Sequence, residues 1–281
     1  MLRPPERTDE PRPRLRGRAP TRAGRSWDHV GGLPTEGSWR VTGPAGSGVS
    51  SLLIDTAVAA VERGEDPSGV LVVAPGKESA ARLRRGIVDE LLAGPAAGGY
   101  AAESSLARSV HSVAFMLLRA GSDDRLRLVT GAEQDSEMRQ LLLGHAEEGG
   151  GTWPEEFRPA LPTAGFARQL RDLQLRLAER GRGPAALERA GRDFGRPVWR
   201  AAADFWREYR QVIALQGTSQ LSASELVSAA LELVEADPSL IEGRWHTVLV
   251  DEAQSLDPMS TRLVEELAKR ARLSVIAGNP G

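Results

Sequence analysis

The segment Gly43-Pro44-Ala45-Gly46-Ser47-Gly48-Val49-Ser50 has the residue types that can wrap an anion in backbone. Its glycines let consecutive N–H groups turn inward, and a helix that follows adds the positive end of its dipole. The spacing G-x-x-x-x-G-x-S sets Ser50 where a hydroxyl can ligate magnesium beside a polyphosphate. Val49 stands where such loops carry the lysine that reaches the outer phosphates. Taken alone, the loop fits a glycine-rich packing turn between strand and helix as well as a phosphate cradle.

A second constellation is His246-Thr247-Val248-Leu249-Val250-Asp251-Glu252-Ala253-Gln254, an apolar run that ends in two adjacent carboxylates. Asp251 at a strand end can hold magnesium, directly or through water, and Glu252 can accept a proton from an attacking water. The bland alternative is an aspartate capping a helix that begins near Asp257, but a cap requires no second acid after a short apolar strand. The two constellations together are more specific than either, because P-loop nucleotide hydrolases bring these strand ends next to one another.

Four short runs rich in Val, Leu and Ile read as strands: 38–42, 70–74, 247–250 and 273–277. Their unbroken apolar character predicts a parallel sheet with helices on both faces, an α/β fold. A helix is expected over Ser51 to Val61. Between the second and third runs, residues 124–242 read as almost wholly helical. Apolar residues recur there at helical spacing in Phe166, Leu170, Leu173 and Leu177, and in Trp199, Phe205, Tyr209 and Ile213. These stripes are read as core, not as a ligand platform. Turns fall at 149–151, 181–184 and 195–197. The organisation expected is a sheet domain over 27–123 and 243–281, with the helical stretch inserted between.

The composition excludes several classes. No cysteine means no disulfide framework, thiolate metal site or cysteine nucleophile, and it points to a reducing, cytoplasmic setting. No run approaches the length of a membrane span; the longest candidate, Leu52 to Val61, is broken by Asp55. The net charge of −2 over 281 residues neither requires nor forbids a polyanionic partner. Residues 1–26 hold eight arginines, three acids and five prolines, and are expected to be a disordered basic tail.

The order and wording of these motifs resemble the UvrD/Rep-type superfamily 1 DNA helicases, and within them the AdnA-like or RecB-like subunits of helicase-nucleases. The stretch from Val70 through Lys77 to Arg82 is similar to motif Ia, and Ser109-Val110-His111-Ser112 to the following histidine motif; both touch single-stranded DNA in the family. Val248 to Pro258 is close to motif II, and Ser274 to Pro280 to the opening of motif III. The resemblance implies a RecA-like domain 1A interrupted by a helical domain 1B, ATP and Mg2+ as cofactors, and single-stranded DNA or DNA ends as partners beside a second helicase-nuclease motor subunit. It implies a phosphate cradle over 43–50, including Pro44, Ala45, Ser47 and Val49, metal ligands Ser50 and Asp251, catalytic Glu252, and DNA contacts at Lys77, Ser109 and His111. For single residues plainer readings stay open: His111 as a satisfied core histidine, and Lys77 with Arg82 to Arg85 as a solvated helix face.

Two departures bear on activity. Val49 removes a charge a few Å from the phosphates, so nucleotide binding should weaken and hydrolysis more so. The sequence stops inside motif III, so the resemblance implies a fragment without the second motor domain. The alternative is a non-catalytic scaffold, derived from such a motor, that binds DNA or a partner. An unrelated P-loop kinase or GTPase fits less well, because no base-specificity motif is visible.

Overall fold

The computed structural model describes residues 25–94, 106–121, 126–215 and 219–279. The tail expected to be disordered lies, except for its last two residues, outside the described residues. Two compact units divide the chain, Met1–Gly32 and Leu33–Gly281. Among the described residues of the first, a 3-10 turn spans Asp28–Val30 and is closed by Gly31 in the left-handed region.

The second unit is built on a five-stranded sheet. Its strands are β1 (Gly37–Thr42), β2 (Val70–Ala74), β3 (Ala107–Ser109), β6 (Thr247–Val250) and β7 (Leu273–Gly278), in the order β1-β7-β6-β2-β3. Every neighbouring pair is parallel. Alternate residues feed opposite faces, which is why the strand sequences are apolar throughout. Val70, Val72 and Ala74 join one core cluster with Leu53 and Val58 of α1 (Val49–Glu62) and Leu83 and Ile87 of α2 (Lys77–Ala93). Leu71 and Val73 point the other way, against α3 (Val110–Gly121), α8 (Ala223–Ala236) and α9 (Pro258–Lys269). β1 is the exception: as an edge strand it is largely exposed, with Trp39 at 46 %.

Between α3 and α8 lie α4 (Gly131–Glu147), α5 (Ala164–Ala178), α6 (Pro184–Asp193) and α7 (Pro197–Leu215). They share a third core of Leu142, Trp153, Phe166, Phe205 and their neighbours. Trp153 meets Phe166 edge to face at 5.3 Å and donates its indole N–H to His145 Nδ1 at 3.2 Å. His145 Nε2 lies 2.8 Å from Glu208, so the ring bridges α4 to α7. The stretch is not wholly helical, because β4 (Leu126–Leu128) pairs in parallel with β5 (Ser219–Leu221). Three residues per strand give no readable alternation, and the partners are about ninety positions apart in sequence. Helix α8 turns its apolar side to the sheet, not to this third core.

Helix starts follow local chemistry. Thr130 and Ser222 each accept from the backbone N–H three residues on, while Glu133 and Glu225 reach back to them, a capping box at α4 and at α8. No helix among the described residues is long and apolar enough to cross a membrane.

Phe205 is 1 % exposed at the centre of the third core. Phe205→Ala should cost about 3–5 kcal/mol, read as a lowered urea midpoint with unchanged slope. The exposed Phe194 replaced by alanine should shift stability by less than about 0.5 kcal/mol.

Candidate functional site

All strands of the sheet run the same way, so their C-terminal ends share one edge, where open α/β sheets bind ligands. The glycine loop leaves β1 there. Its first N–H, on Gly43, donates to the Gly278 carbonyl at the end of β7 (3.2 Å), and Ser47 N–H closes a turn onto the Pro44 carbonyl (3.1 Å). Gly46 and Gly48 have φ of 83° and 92°, a region open to glycine and strained for other residues. Gly48 is the N-cap of α1, so the helix starts at Val49, two residues before the predicted Ser51. A β-carbon at Gly43 would sit 2.4 Å from Ser47 Oγ and 2.9 Å from Val49 Cγ2, so those side chains would have to move to admit one. The Val49 side chain is partly buried against the α1 and α2 face of the sheet.

Two strands away, β6 delivers Asp251, 4 % exposed. Ser50 Oγ donates to both carboxylate oxygens, at 3.1 and 2.9 Å, across 201 positions of sequence. The loop and the acid pair therefore meet, although β7 lies between their strands. Ser50 and Asp251 together present oxygen donors only, a set that suits a hard divalent cation.

Glu252 has φ 48° and ψ 41°, the one non-glycine residue with positive φ among the described residues. Its half-exposed carboxylate lies 3.6 Å from Arg82 Nη2 on α2. The reversal at Glu252 starts a short turn over Ala253–Ser255, from which Gln254 Oε1 accepts the Asn279 N–H at 2.9 Å. Asp257, the residue that does cap a helix, accepts from the Met259 and Ser260 N–H groups of α9. In sequence Gln254 carries no role of its own, and Arg82 reads only as part of a motif or a solvated helix face. Here Gln254 ties motif II to the end of β7, and Arg82 faces Glu252.

On the neighbouring strands, Lys77 is exposed at the first position of α2, a place where a cation opposes the helix dipole. His111 is half-buried in the first turn of α3. Burial pushes its imidazole below the ordinary pKa of 6.5; Asp257 and Glu179 pull it back up, and Lys77 lowers it further. Ser109 is 5 % exposed, and its Oγ accepts the Ser112 N–H at the start of α3. Lys77 and His111 thus sit in each other's field at the sheet edge, while the Ser109 hydroxyl stays inside and holds a helix start.

A parallel sheet flanked by helices, with a glycine loop after one strand and an acid pair after another, defines an α/β P-loop nucleotide-binding domain. The UvrD/REP helicase N-terminal domain matches residues 31–280, and the chain belongs to that family. Membership makes it an ATP-binding part of a helicase motor, and the family implies DNA as a ligand. No curated protein matches the chain.

A histidine whose folded pKa is lowered binds its proton more weakly than in the unfolded chain. Its contribution is complete above 6.5 and is lost as pH falls through the lower folded value. His111→Gln should therefore flatten the fall of unfolding free energy below pH about 6.5, measured by urea titration at successive pH values, with no change well above it.

Proposed function

We propose that this chain is the nucleotide-binding part of a UvrD-like motor of the AdnA-like or RecB-like kind, which holds ATP with Mg2+ but hydrolyses it weakly. The observation that carries this reading is the hydrogen bond from Ser50 to both oxygens of Asp251, which joins the end of the glycine loop to the acid pair. In the reading, the loop Gly43 to Ser50 supplies backbone N–H groups to phosphate oxygens, and α1 adds its positive end. Ser50 and Asp251 hold the magnesium ion, which when bound neutralises phosphate charge. Glu252 takes the proton of the attacking water. Its exposure and the flexible partner Arg82 leave its carboxylate free to turn toward that water.

Val49 sets the limit on turnover. An isopropyl group packed on the core cannot reach an outer phosphate, and loss of one preorganised donor costs about 100-fold in comparable sites. Backbone donors and the metal ligands are untouched by this change, so binding persists where hydrolysis does not. Lys77 and His111 take the DNA side, with Ser109 holding the start of α3 for them. The helices between 124 and 242 serve as the 1B-like insertion, and α8 carries the chain back to the sheet. A second motor subunit and DNA ends complete the assembly, in the cytoplasm.

Val49 also favours the alternative, a scaffold that binds DNA or a partner and no nucleotide. Titration with a fluorescent ATP analogue in magnesium separates the two. Saturable binding should weaken at least about 10-fold in Asp251→Asn and in Ser50→Ala, for loss of a charged or a hydroxyl ligand. Absence of any saturable signal in the unaltered chain establishes the scaffold. Val49→Lys should raise steady-state phosphate release on single-stranded DNA by about 10-fold or more; robust release by the unaltered chain sinks the claim of weak hydrolysis.

A further inference from the structure

Helix α6 ends at Asp193, and the chain turns through Phe194, Gly195 and Arg196 before Pro197 opens α7. Gly195 has φ 59°, which lets the turn reverse tightly. A β-carbon at Gly191 would meet Arg200 Cγ at 2.7 Å, so α7 lies close against α6 and the turn between them is firmly held. This turn puts Phe194 into solvent at 71 % exposure, far from the usual burial of phenylalanine. Trp199, half-buried at the margin of the third core, supports it edge to face at 6.2 Å and 69°. With Leu173, Leu177 and Ala190 the two rings line an open groove of about 440 Å³.

Charge surrounds the rings. Arg182 and Arg189 line the groove, Arg196 follows in the turn, and Arg200 stands on the first turn of α7. All four are exposed, and among the described residues none is in an ion pair. Their neighbours differ: Arg192 pairs with Glu188, and Arg207 with Glu188 and Asp204. Against the two lining arginines stands one lining acid, Asp193. A rigid aromatic face ringed by unpaired guanidinium groups matches a polyanion that also offers flat π surfaces. An apolar protein helix would fill the groove and leave the arginines without partners. Duplex DNA would satisfy the arginines but keep its base faces stacked inside.

We propose that Phe194 and Trp199 form a stacking platform for an unpaired base of single-stranded DNA, with Arg182, Arg189 and Arg196 on the flanking phosphates. The inference draws on the family's handling of DNA and on none of the nucleotide-site residues.

The test is fluorescence anisotropy of a labelled oligo-dT strand titrated with the full chain. Phe194→Ala should weaken binding about 5- to 100-fold, and Phe194→Tyr should retain it. An abasic strand of equal length should bind the unaltered chain and Phe194→Ala alike. Arg189→Gln and Arg196→Gln should each lower the slope of log affinity against log salt by about 0.7. Oligo-dT affinity unchanged in Phe194→Ala but weakened in Lys77→Ala overturns the platform and leaves the DNA reading of the sheet edge intact. No binding of oligo-dT by the unaltered chain at low salt overturns both. A change in sedimentation of Phe194→Ala with DNA affinity unchanged overturns the platform in favour of a protein interface.

Discussion

Parallel pairing of β1, β7, β6 and β2 is the constraint on which the site depends. Because these strands share a direction, each hands its next residues to the same edge of the sheet. The glycine loop follows β1, Asp251 follows β6, Asn279 follows β7 and Lys77 lies just beyond β2. Residues separated by about two hundred positions become neighbours through backbone hydrogen bonding alone, before any side chain has been chosen for chemistry. Register then sets the finer fit. Thr42 pairs with Gly278, and Val250 with Ile276, so β1 extends beyond the end of β6 and its loop folds back over Asp251. A register slip of one residue would send each side chain of the shifted strand to the opposite face and mismatch the packing of both cores.

Within that frame the site divides into parts that tolerate change and parts that do not. Phosphate recognition by backbone N–H groups depends on the glycines of the loop and is insensitive to the residue at 49. Gly46 and Gly48 are held to glycine by their backbone, while a β-carbon at Gly43 would displace the Ser47 and Val49 side chains. A side-chain charge at 49 is a separate contribution that acts on transferring phosphate. On the proposed reading, valine at 49 beside retained Ser50, Asp251 and glycines would separate holding a nucleotide from cleaving it.

Legibility followed physical cause. Strands β2 and β6 are found where their apolar runs begin and end, because both faces are covered and every residue must be apolar. Helix α1 begins earlier than its sequence pattern, since Gly48 caps it from a backbone conformation that composition does not reveal. The pair β4 and β5 is too short to carry a period. Helix α8 falls inside the stretch 124–242 expected to be an inserted helical part, yet its apolar side packs on the sheet. The contact of Arg82 with Glu252 crosses 170 positions, and no local rule predicts it. Trp199 belongs to a stripe that reads as core, yet it lies at the margin under an exposed ring; periodicity tells which side of a helix is apolar, not whether that side ends at the surface.

Three residues break the preferences that the rest of the chain obeys. Lys77 puts a cation at a helix N-terminus, which is unfavourable by about 0.3–1 kcal/mol and matters less when an anion is near. Glu252 adopts a left-handed backbone, a conformation that costs about 1–2 kcal/mol outside glycine and that frees Gln254 to reach Asn279. Phe194 holds a large apolar ring in water. Each of the three sits beside groups suited to a ligand: His111 by Lys77, the Ser50 and Asp251 pair by Glu252, four arginines by Phe194. Broken local rules concentrate at functional positions. On the proposed reading of the α6 to α7 turn, the inserted helices would be more than a spacer.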